Sequence, residues 1–264
     1  MLAGTGWGPV TVVARTGSTN ADVAALARAG AGHGTVLVTP HQQAGRGRFA
    51  RVWSTPPDTC VAMSVLVRPR LALAHWGWLS LVAGLAAVAG VAASSGVEAT
   101  LKWPNDVLVA ERKLCGILSE AVETPAGWAA VLGIGINVAL GEDQLPVPTA
   151  TSLRLEGSDA AAHAVAAAVL VALDRLYARW DAGESLVADY RRSCGTLGRR
   201  VRILVPDGAV EGLAVDVDAA GALVVDTEAG RRTFAAGDVV HLRPADAGPG
   251  GFRTPPPGSP TGGR

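Results

Sequence analysis

One stretch, residues 101–120 (LKWPNDVLVAERKLCGILSE), constrains the fold of this chain more than any other segment. Pro104 lacks a backbone N–H and disfavours the α conformation at Trp103, so we expect an extended segment that ends there. Asn105 and Asp106 follow, and both residue types are typical of turns because their side chains bond the local backbone. The sequence therefore predicts a reversal of the chain at this point.

The residues after this turn predict a β-hairpin. Residues 107–109 and 113–122 have the composition of strands, and residues 111–112 supply a tight turn between them. Such a hairpin brings Lys113 back beside the Asn-Asp turn. Polar side chains then lie close together on a rigid scaffold, which is the geometry that a functional site needs.

The only two lysines of the chain, Lys102 and Lys113, both lie in this stretch, whereas the other 21 of its 23 basic residues are arginine. An ammonium group is a compact charge with three donors, and it suits a phosphate or carboxylate oxygen at a reacting centre. The count alone also fits the chance survival of two surface lysines. The residues around the two lysines therefore determine whether they are interpreted as site residues or as surface residues.

A long apolar segment, residues 71–97, has enough length to span a bilayer. It is rich in Ala and Gly, which contribute little transfer free energy, and it is interrupted by His75 and by serines. We expect a buried core helix at residues 74–95 and no membrane association. A second long helix, capped by Ser158, is expected to end near Asp181.

Charge and cysteine usage narrow the class of protein. The formal net charge is zero, which disfavours a broad nucleic-acid-binding surface. Cys60, Cys115 and Cys194 are far apart and form no CxxC pair, so neither a disulfide framework nor a structural zinc site is expected. The N-terminus lacks the pattern of a signal peptide. These features predict a cytoplasmic location.

The chain divides by composition into three parts. Residues 1–194 contain strand and helix signals in mixed order and predict one α+β domain. Residues 195–243 contain short β segments separated by Gly and Asp-Gly turns, which is typical of a small β-barrel. Residues 244–264 are rich in Pro, Gly, Ser and Thr with almost no apolar content, which predicts a disordered tail.

A Gly/Arg-rich loop occupies residues 40–54 (PHQQAGRGRFARVWS). Glycine lets the backbone approach a ligand closely, and guanidinium groups can enclose phosphate and carboxylate oxygens. A solvated turn or a loose RNA-binding segment fits the same composition. Gln42, which offers a donor and an acceptor, and Trp53, which offers a stacking surface, favour a binding site.

Motifs of the common nucleotide-binding folds are absent from the sequence. Neither lysine is preceded by Gly as in a Walker A motif, and no GxGxxG sequence opens a helix after a strand. Ser-His-Asp and HExxH patterns are absent as well. We therefore expect chemistry by positioning and charge neutralisation rather than by a side-chain nucleophile.

Five segments occur in the order and spacing of biotin–protein ligases, which the chain resembles: residues 18–20 (STN), 42–48 (QQAGRGR), 102–106 (KWPND), 113–118 (KLCGIL) and 133–137 (GIGIN). The resemblance covers residues 10–243. It implies a catalytic domain related to class II aminoacyl-tRNA synthetases, with a mixed sheet flanked by helices, and a small SH3-like β-barrel after it.

The resemblance implies a two-step reaction. Biotin and MgATP give biotinyl-5′-AMP and pyrophosphate, and the biotinyl group then passes to a lysine of a biotin carboxyl carrier protein domain of biotin-dependent carboxylases. Because the first strand begins by residue 10, we expect no N-terminal winged-helix domain of the kind found in the family's bifunctional repressors, and no DNA binding. The sequence leaves open whether the protein is a homodimer.

The resemblance also assigns residues to the site by motif position. The residues expected to bind biotin are Ser18, Thr19, Asn20, Gln42, Arg46, Gly47, Arg48, Lys113 and Gly116. The residues expected to bind ATP are Arg48, Arg51, Trp53, Asn105, Lys113 and Asn137. Lys113 and Arg48 are the expected catalytic residues, and Asp106 is expected to hold Mg²⁺ or to orient the incoming amine.

One part of the loop departs from the family pattern. Phe49 and Ala50 stand where the family often has a basic residue and Gly, so we expect the closure of the loop to be altered. Residues 45–53 are expected to be poorly ordered without ligand.

Two other functions compete with the biotin ligase. A lipoate–protein ligase or octanoyl transferase would use the same scaffold, but the GRGR and KWPND segments favour biotin. A non-catalytic biotin-binding or nucleic-acid-binding module belongs to a different class. The neutral net charge disfavours a nucleic-acid-binding module. The retention of Lys113 disfavours a protein that binds biotin without catalysing a reaction.

Overall fold

The computed structural model of the chain describes residues 2, 4–53, 55–205 and 208–242. The tail expected to be disordered, residues 244–264, lies outside the described residues. In chain order, the strands are β1 (Val10–Val12), β2 (Val36–Thr39), β3 (Gly45–Arg46), β4 (Val52–Trp53), β5 (Cys60–Val67), β6 (Thr100–Lys102), β7 (Asp106–Val109), β8 (Arg112–Thr124), β9 (Gly127–Asn137), β10 (Arg200–Val205), β11 (Gly208–Val217), β12 (Leu223–Thr227), β13 (Gly230–Phe234) and β14 (Asp238–His241). The α-helices are α1 (Thr19–Arg28), α2 (Trp78–Ser95), α3 (Ala162–Asp181) and α4 (Val187–Ser193).

Seven strands form one sheet in the order β1-β2-β5-β9-β8-β7-β6. The pair β1–β2 is parallel and the remaining neighbours are antiparallel, so the predicted mixed sheet with flanking helices is confirmed. The predicted hairpin is present as β7 and β8. Its turn lies at Ala110 and Glu111, both with positive φ, one residue earlier than the sequence indicated.

The two faces of this sheet are covered by different helices. Side chains from β5, β8 and β9 share one large apolar core with α2 and α3. The opposite face packs against α1, where Val23, Ala24 and Ala27 meet Leu66 and Val131 in a smaller core. Because side chains alternate along a strand, each central strand contributes to both layers.

The long apolar segment forms α2, a core helix as predicted. Among the described residues, it is the one helix that is long and apolar enough to cross a membrane. However, 61% of it is buried inside the fold. It packs closely on α3: a Cβ added at Gly90 would lie 2.5 Å from the Cα of Val169. The helix is therefore explained by its place between the sheet and α3.

The second long helix begins later than expected, which corrects the assignment of Ser158 as its cap. The helix α3 starts at Ala162, and Ala161 precedes it without a side-chain cap. The hydroxyl of Ser158 instead accepts a hydrogen bond from the backbone N–H of Ala160 at 3.3 Å. Serine stabilises such local turns as well as helix starts, and here the turn prevails.

The strands β10 to β14 form a separate antiparallel sheet, which we call the C-terminal module (residues 200–241), in the order β13-β12-β11-β10-β14. Two tryptophans of the main domain attach to one of its turns. The indole of Trp78 donates to the carbonyl of Ala219 at 2.8 Å, and that of Trp103 donates to Gly221 at 3.0 Å. The module is thereby fixed beside the hairpin that carries Lys113.

Candidate active site

A pocket lies on the α1 face of the seven-stranded sheet, at the N-terminal end of the helix. Along β9, the residues on this face are first Ala129 and Val131, which pack beneath α1. Gly133 and Gly135 follow on the same face and line the pocket. Because glycine has no side chain, the sheet leaves a hollow beside the N-terminal end of α1.

Polar side chains of the first turn of α1 form one end of the pocket. Ser18 caps the helix, and its hydroxyl accepts a hydrogen bond from the N–H of Ala21. The backbone N–H of Thr19 donates to Oε1 of Gln42 at 2.8 Å, and the Thr19 hydroxyl lies 3.0 Å from the same atom. These bonds fix the Gln42 amide, so its nitrogen is left as a donor for the pocket.

Asn20 is held from three directions. Its amide nitrogen donates to the carbonyl of Leu118 at 3.1 Å and to Oε2 of Glu120 at 2.7 Å. Its oxygen packs so tightly on the sheet that a Cβ at Gly133 would lie 2.1 Å from it. Any side chain at Gly133 would therefore displace Asn20.

Ser64 completes this network, and the sequence reasoning missed it. Its hydroxyl, fully buried in β5, donates to Oδ1 of Asn20 at 2.6 Å and lies 2.7 Å from the hydroxyl of Thr19. An amide oxygen can only accept, so Ser64 is the donor that sets the orientation of Asn20. The signal in the sequence was weak: one serine within the otherwise apolar strand CVAMSVLV.

Trp53 covers the glycine floor of the pocket. Added Cβ atoms at Gly116 and Gly135 would each lie 2.9 Å from an atom of its indole ring, so both glycines are in contact with the ring. The indole nitrogen is buried and has no hydrogen-bond partner among the residues that the structure describes. A buried donor without a partner is costly, so the nitrogen is available to a ligand acceptor.

Lys113 reaches into the pocket from the start of β8. Its ammonium lies 2.6 Å from Oδ1 of Asp106 and 5.7 Å from the centroid of the Trp53 ring. The backbone is held on its outer side as well, since the N–H of Lys113 donates to Thr149 O at 2.7 Å and its carbonyl accepts from Thr151 N at 2.9 Å. The side chain is 36% exposed and thus still accessible to a ligand.

The Gly/Arg loop forms a short hairpin across the pocket, which we call the flap (residues 45–53). Gly45 pairs with Trp53 and Arg46 with Val52. Arg46 donates to Glu120 at 2.9 Å, so the first strand of the flap is tied to the sheet. Phe49, which replaces a basic residue of the family pattern, has φ of 55° and is 64% exposed at the tip.

The structure describes the flap as a short antiparallel hairpin. Phe49 takes the left-handed conformation, which is uncommon for a bulky residue. The expected effect on closure therefore falls on Phe49. The expected mobility of the empty flap stays a prediction, to be tested by proteolysis.

Two arginines of the flap face acidic and polar groups across the pocket. Arg48 donates to Oδ1 of Asn105 at 3.3 Å and to the carbonyl of Gly237 at 3.1 Å, and Arg51 pairs with Asp238. Burial lowers the pKa of Arg48, whereas its carboxylate neighbours oppose this shift. The hydrogen bond that Arg51 donates to Asp238 raises the pKa of Arg51. Both groups remain cationic at neutral pH.

The structure gathers nearly all of the expected site residues around one pocket. The residues that line it are Ser18, Thr19, Asn20, Gln42, Arg46, Gly47, Arg48, Arg51, Trp53, Asn105, Asp106, Lys113 and Gly116, together with Val52, Ala62, Ile117, Leu118, Gly133, Ile134, Gly135 and Asp238. Asp238, from the C-terminal module, was not expected from the sequence.

Asn137 is the expected site residue that does not line this pocket. It is 2% exposed, and its amide nitrogen donates to the carbonyl of Thr151 at 2.8 Å. Thr151 in turn bonds the backbone of Lys113. In this structure Asn137 therefore holds Thr151, which bonds the backbone of Lys113. A contact between Asn137 and ATP stays a prediction.

Asp106 is one carboxylate rather than part of a metal cluster. Among the described residues, no group of three or more His, Cys, Asp and Glu side chains is arranged to hold a metal ion. Mg²⁺ is often held by one or two carboxylates together with substrate phosphates. A single Asp106 fits that mode only if the phosphates complete the ligand set.

The pocket combines two kinds of chemistry. One end offers fixed amide and hydroxyl groups of Gln42, Thr19 and Asn20 above an uncharged floor, which suits a small polar ring. The other end brings together the ammonium of Lys113 and the guanidinium of Arg48, which suits carboxylate and phosphate oxygens. This arrangement is typical of an enzyme that activates a carboxylic acid with a nucleotide.

Comparison with known proteins agrees with this class. The model of the biotin/lipoate A/B protein ligase family matches residues 12–137, and that of the biotin protein ligase C terminal domain matches residues 196–242. The biotin–[acetyl-CoA-carboxylase] ligase of Mycobacterium tuberculosis is 43% identical over 249 residues, covering 91% of this chain and 92% of the relative. The chain therefore belongs to the biotin protein ligases of the biotin/lipoate A/B protein ligase family.

Two further relatives extend the comparison. The bifunctional ligase/repressor BirA of Bacillus spizizenii is 32% identical over 224 residues, covering 81% of this chain and 68% of BirA. The structure of the biotin protein ligase from Aquifex aeolicus in complex with biotin and ATP superposes with a TM-score of 0.77 at 25% identity. That superposition covers 90% of this chain and all of the other.

Proposed function

We propose that the protein is an ATP-dependent biotin–protein ligase that makes biotinyl-5′-AMP and then biotinylates a lysine of a carrier protein. The observation that carries this proposal is the placement of Lys113, Arg48 and the polar end of α1 around one glycine-floored pocket. The chain belongs to the biotin protein ligases, and the solved relative from Aquifex aeolicus was obtained with biotin and ATP.

Biotin would bind with its ureido ring at the end of the pocket formed by α1. The ring has one carbonyl and two N–H groups, so it needs both donors and acceptors. The Gln42 amide nitrogen supplies a donor, and the hydroxyl oxygens of Ser18 and Thr19 supply acceptors. The apolar remainder of the bicyclic ring would lie on Gly135. Trp53, which contacts Gly135, would have to shift to admit it.

The acid is then activated at the charged end. A carboxylate oxygen of biotin attacks the α-phosphorus of ATP, the bond to the β-phosphate breaks, and pyrophosphate leaves with that electron pair. Lys113 and Arg48 would hold the carboxylate and α-phosphate oxygens in line and neutralise the negative charge that develops on them. Arg51, Asn105, Trp53 and Asn137 are proposed to contact the nucleotide.

The second step transfers the acyl group. The neutral amine of the carrier lysine attacks the acyl carbon, AMP leaves with the electron pair of the broken anhydride bond, and the amine loses a proton. Asp106, which lies 2.6 Å from the Lys113 ammonium, would orient the amine. Mg²⁺, if held at Asp106, would offset the charge of the ATP phosphates.

The finer features of the fold belong to the same proposal. We infer a class II aminoacyl-tRNA synthetase-like catalytic domain at residues 1–194 and an SH3-like barrel at residues 195–243. The five-stranded antiparallel sheet of the C-terminal module supports the barrel. The proposed partner is the biotin carboxyl carrier domain of a carboxylase, since a relative is named as an acetyl-CoA-carboxylase ligase. We propose no DNA partner, and a homodimer is an open alternative to the monomer.

The experiment that tests the proposed function combines calorimetry with a pyrophosphate-release assay. Biotin is titrated into the protein alone and then with a non-hydrolysable ATP analogue. Pyrophosphate release is measured with biotin, lipoate and octanoate. We expect saturable binding of biotin and tighter binding of biotin in the presence of the analogue. We expect pyrophosphate to be released from ATP with biotin but not with lipoate or octanoate. Release with lipoate or octanoate but not with biotin would overturn the assignment.

A further inference from the structure

The C-terminal module contacts the flap directly, through the turn that begins β14. The carbonyl of Gly237 accepts a hydrogen bond from Arg48 at 3.1 Å, and Asp238 pairs with Arg51 through both carboxylate oxygens. These contacts join residues that are 187 positions or more apart in the sequence. Asp238 also lines the pocket itself.

The turn that makes these contacts is a rigid part of the module. Asp238 pairs with Leu204 in the ladder between β10 and β14. A Cβ at Gly237 would lie 2.7 Å from Ile203, so the backbone is packed against β10 and only glycine fits there without a shift. The acceptor groups for the two arginines are therefore presented from a fixed surface.

The flap is consequently held at two places, its first strand and the turn between its strands. Its first strand is tied to the main sheet by the pair between Arg46 and Glu120 at 2.9 Å. Its second half is tied to the C-terminal module by Arg48 and Arg51. Apart from these bonds, the hydrogen bond from Arg48 to Asn105 joins this part of the flap to the main domain.

We propose that Asp238 is a positioning residue of the C-terminal module that holds the flap closed over the pocket through Arg51. The module thereby takes part in substrate retention although it contributes none of the residues expected to bind biotin. Only the retention of substrate rests on the proposed function, whereas the attachment of the flap does not.

The test uses the full-length protein and trypsin, because the flap contains three cleavage sites at Arg46, Arg48 and Arg51. The variant Asp238→Asn keeps the shape of the side chain and removes its charge. We expect cleavage within the unliganded flap to become roughly two- to five-fold faster, the range of a partly exposed ion pair. Mass spectrometry identifies the cleaved bonds. Asp238→Glu should restore most of the protection.

A matched control lies in the same module. Asp226 pairs with Arg231 at 2.7 Å, both side chains are exposed, and neither lines the pocket. Asp226→Asn should leave flap cleavage at the wild-type rate. With biotin and a non-hydrolysable ATP analogue bound, the difference between wild type and Asp238→Asn should disappear.

Steady-state kinetics separates positioning from a merely structural role. Asp238→Asn should raise KM for biotin by roughly two- to five-fold with little change in kcat, because the flap retains the substrate without touching the reacting atoms. Unchanged flap cleavage in Asp238→Asn, or an equal increase in Asp226→Asn, would overturn the proposal, as would a fall in kcat without a rise in KM. The proteolysis needs no ligase activity. Its failure therefore leaves the proposed function standing, whereas a protein that binds no biotin refutes the function alone.

Discussion

Replacement of Lys113 by alanine is the perturbation whose effect can be worked out most fully from the structure. The ammonium forms an ion pair with Asp106 at 2.6 Å, and the two side chains are 36% and 21% exposed. An ion pair of this exposure contributes about 1 kcal/mol or less to the free energy of unfolding. The backbone of residue 113 is bonded to Thr149 and Thr151 whatever its side chain. Lys113→Ala should therefore fold normally.

The effect on catalysis should be much larger than the effect on stability. Removal of a single preorganised group that stabilises developing charge costs on the order of 10²–10³ in rate. Loss of Lys113 also leaves Asp106 without its cationic partner and facing the phosphates, which adds repulsion. We expect biotin-dependent pyrophosphate release to fall by at least about 10²-fold.

The other lysine of the chain provides the matched control. Lys102 lies opposite Asp106 in the ladder between β6 and β7. Its side chain lines a neighbouring cleft and not the pocket. Lys102→Ala should keep its rate of pyrophosphate release close to that of wild type. The assay is run with thermal unfolding of each variant in parallel. A rate for Lys113→Ala close to wild type, or an equal loss in Lys102→Ala, would refute the reasoning.

Three further predictions follow from other parts of the structure. Ser64→Ala removes the donor to Asn20, so KM for biotin should rise about five- to ten-fold while kcat changes little; an unchanged KM would remove Ser64 from the network. Biotin with an ATP analogue should protect residues 45–53 from protease, and equal cleavage with and without these ligands would contradict a mobile flap. Burial lowers the pKa of His241, with Glu111 opposing the shift, so the folded state binds its proton less readily than the unfolded state. Stability from this group is then complete above about pH 6.5 and is lost as the pH falls through the lower folded pKa, and His241→Gln should flatten this part of the pH dependence of unfolding. An unchanged pH dependence in that variant would contradict it.

Local signals predicted the elements that carry the site. The hairpin of β7 and β8 follows from turn residues and strand composition over a few positions, and it places Lys113 beside Asp106 as expected. The Gly-Ile-Gly-Ile-Asn segment alternates along β9, so its glycines share one face. Such features depend on neighbours in the sequence, which is why they could be predicted.

Contacts between distant segments could not be predicted in this way. Ser64 is a site residue only because the N-terminus of α1 lies above its strand, 44 residues away in the sequence. Asp238 reaches the flap through the docking of the C-terminal module, which no local pattern specifies. Asn137 shares the face of the two glycines, yet the loop that contains Thr151 covers it. In each case the outcome depends on tertiary packing.

The central claim is that the Lys113 ammonium and the arginines of the flap meet across the pocket where biotin and ATP react. A crystal structure of the protein with biotin and a non-hydrolysable ATP analogue tests it most directly. The claim predicts that Nζ of Lys113 lies within about 3 Å of a carboxylate or α-phosphate oxygen, with the flap closed over both ligands. An ammonium group that points into bulk solvent, remote from every acyl and phosphoryl oxygen, would contradict it.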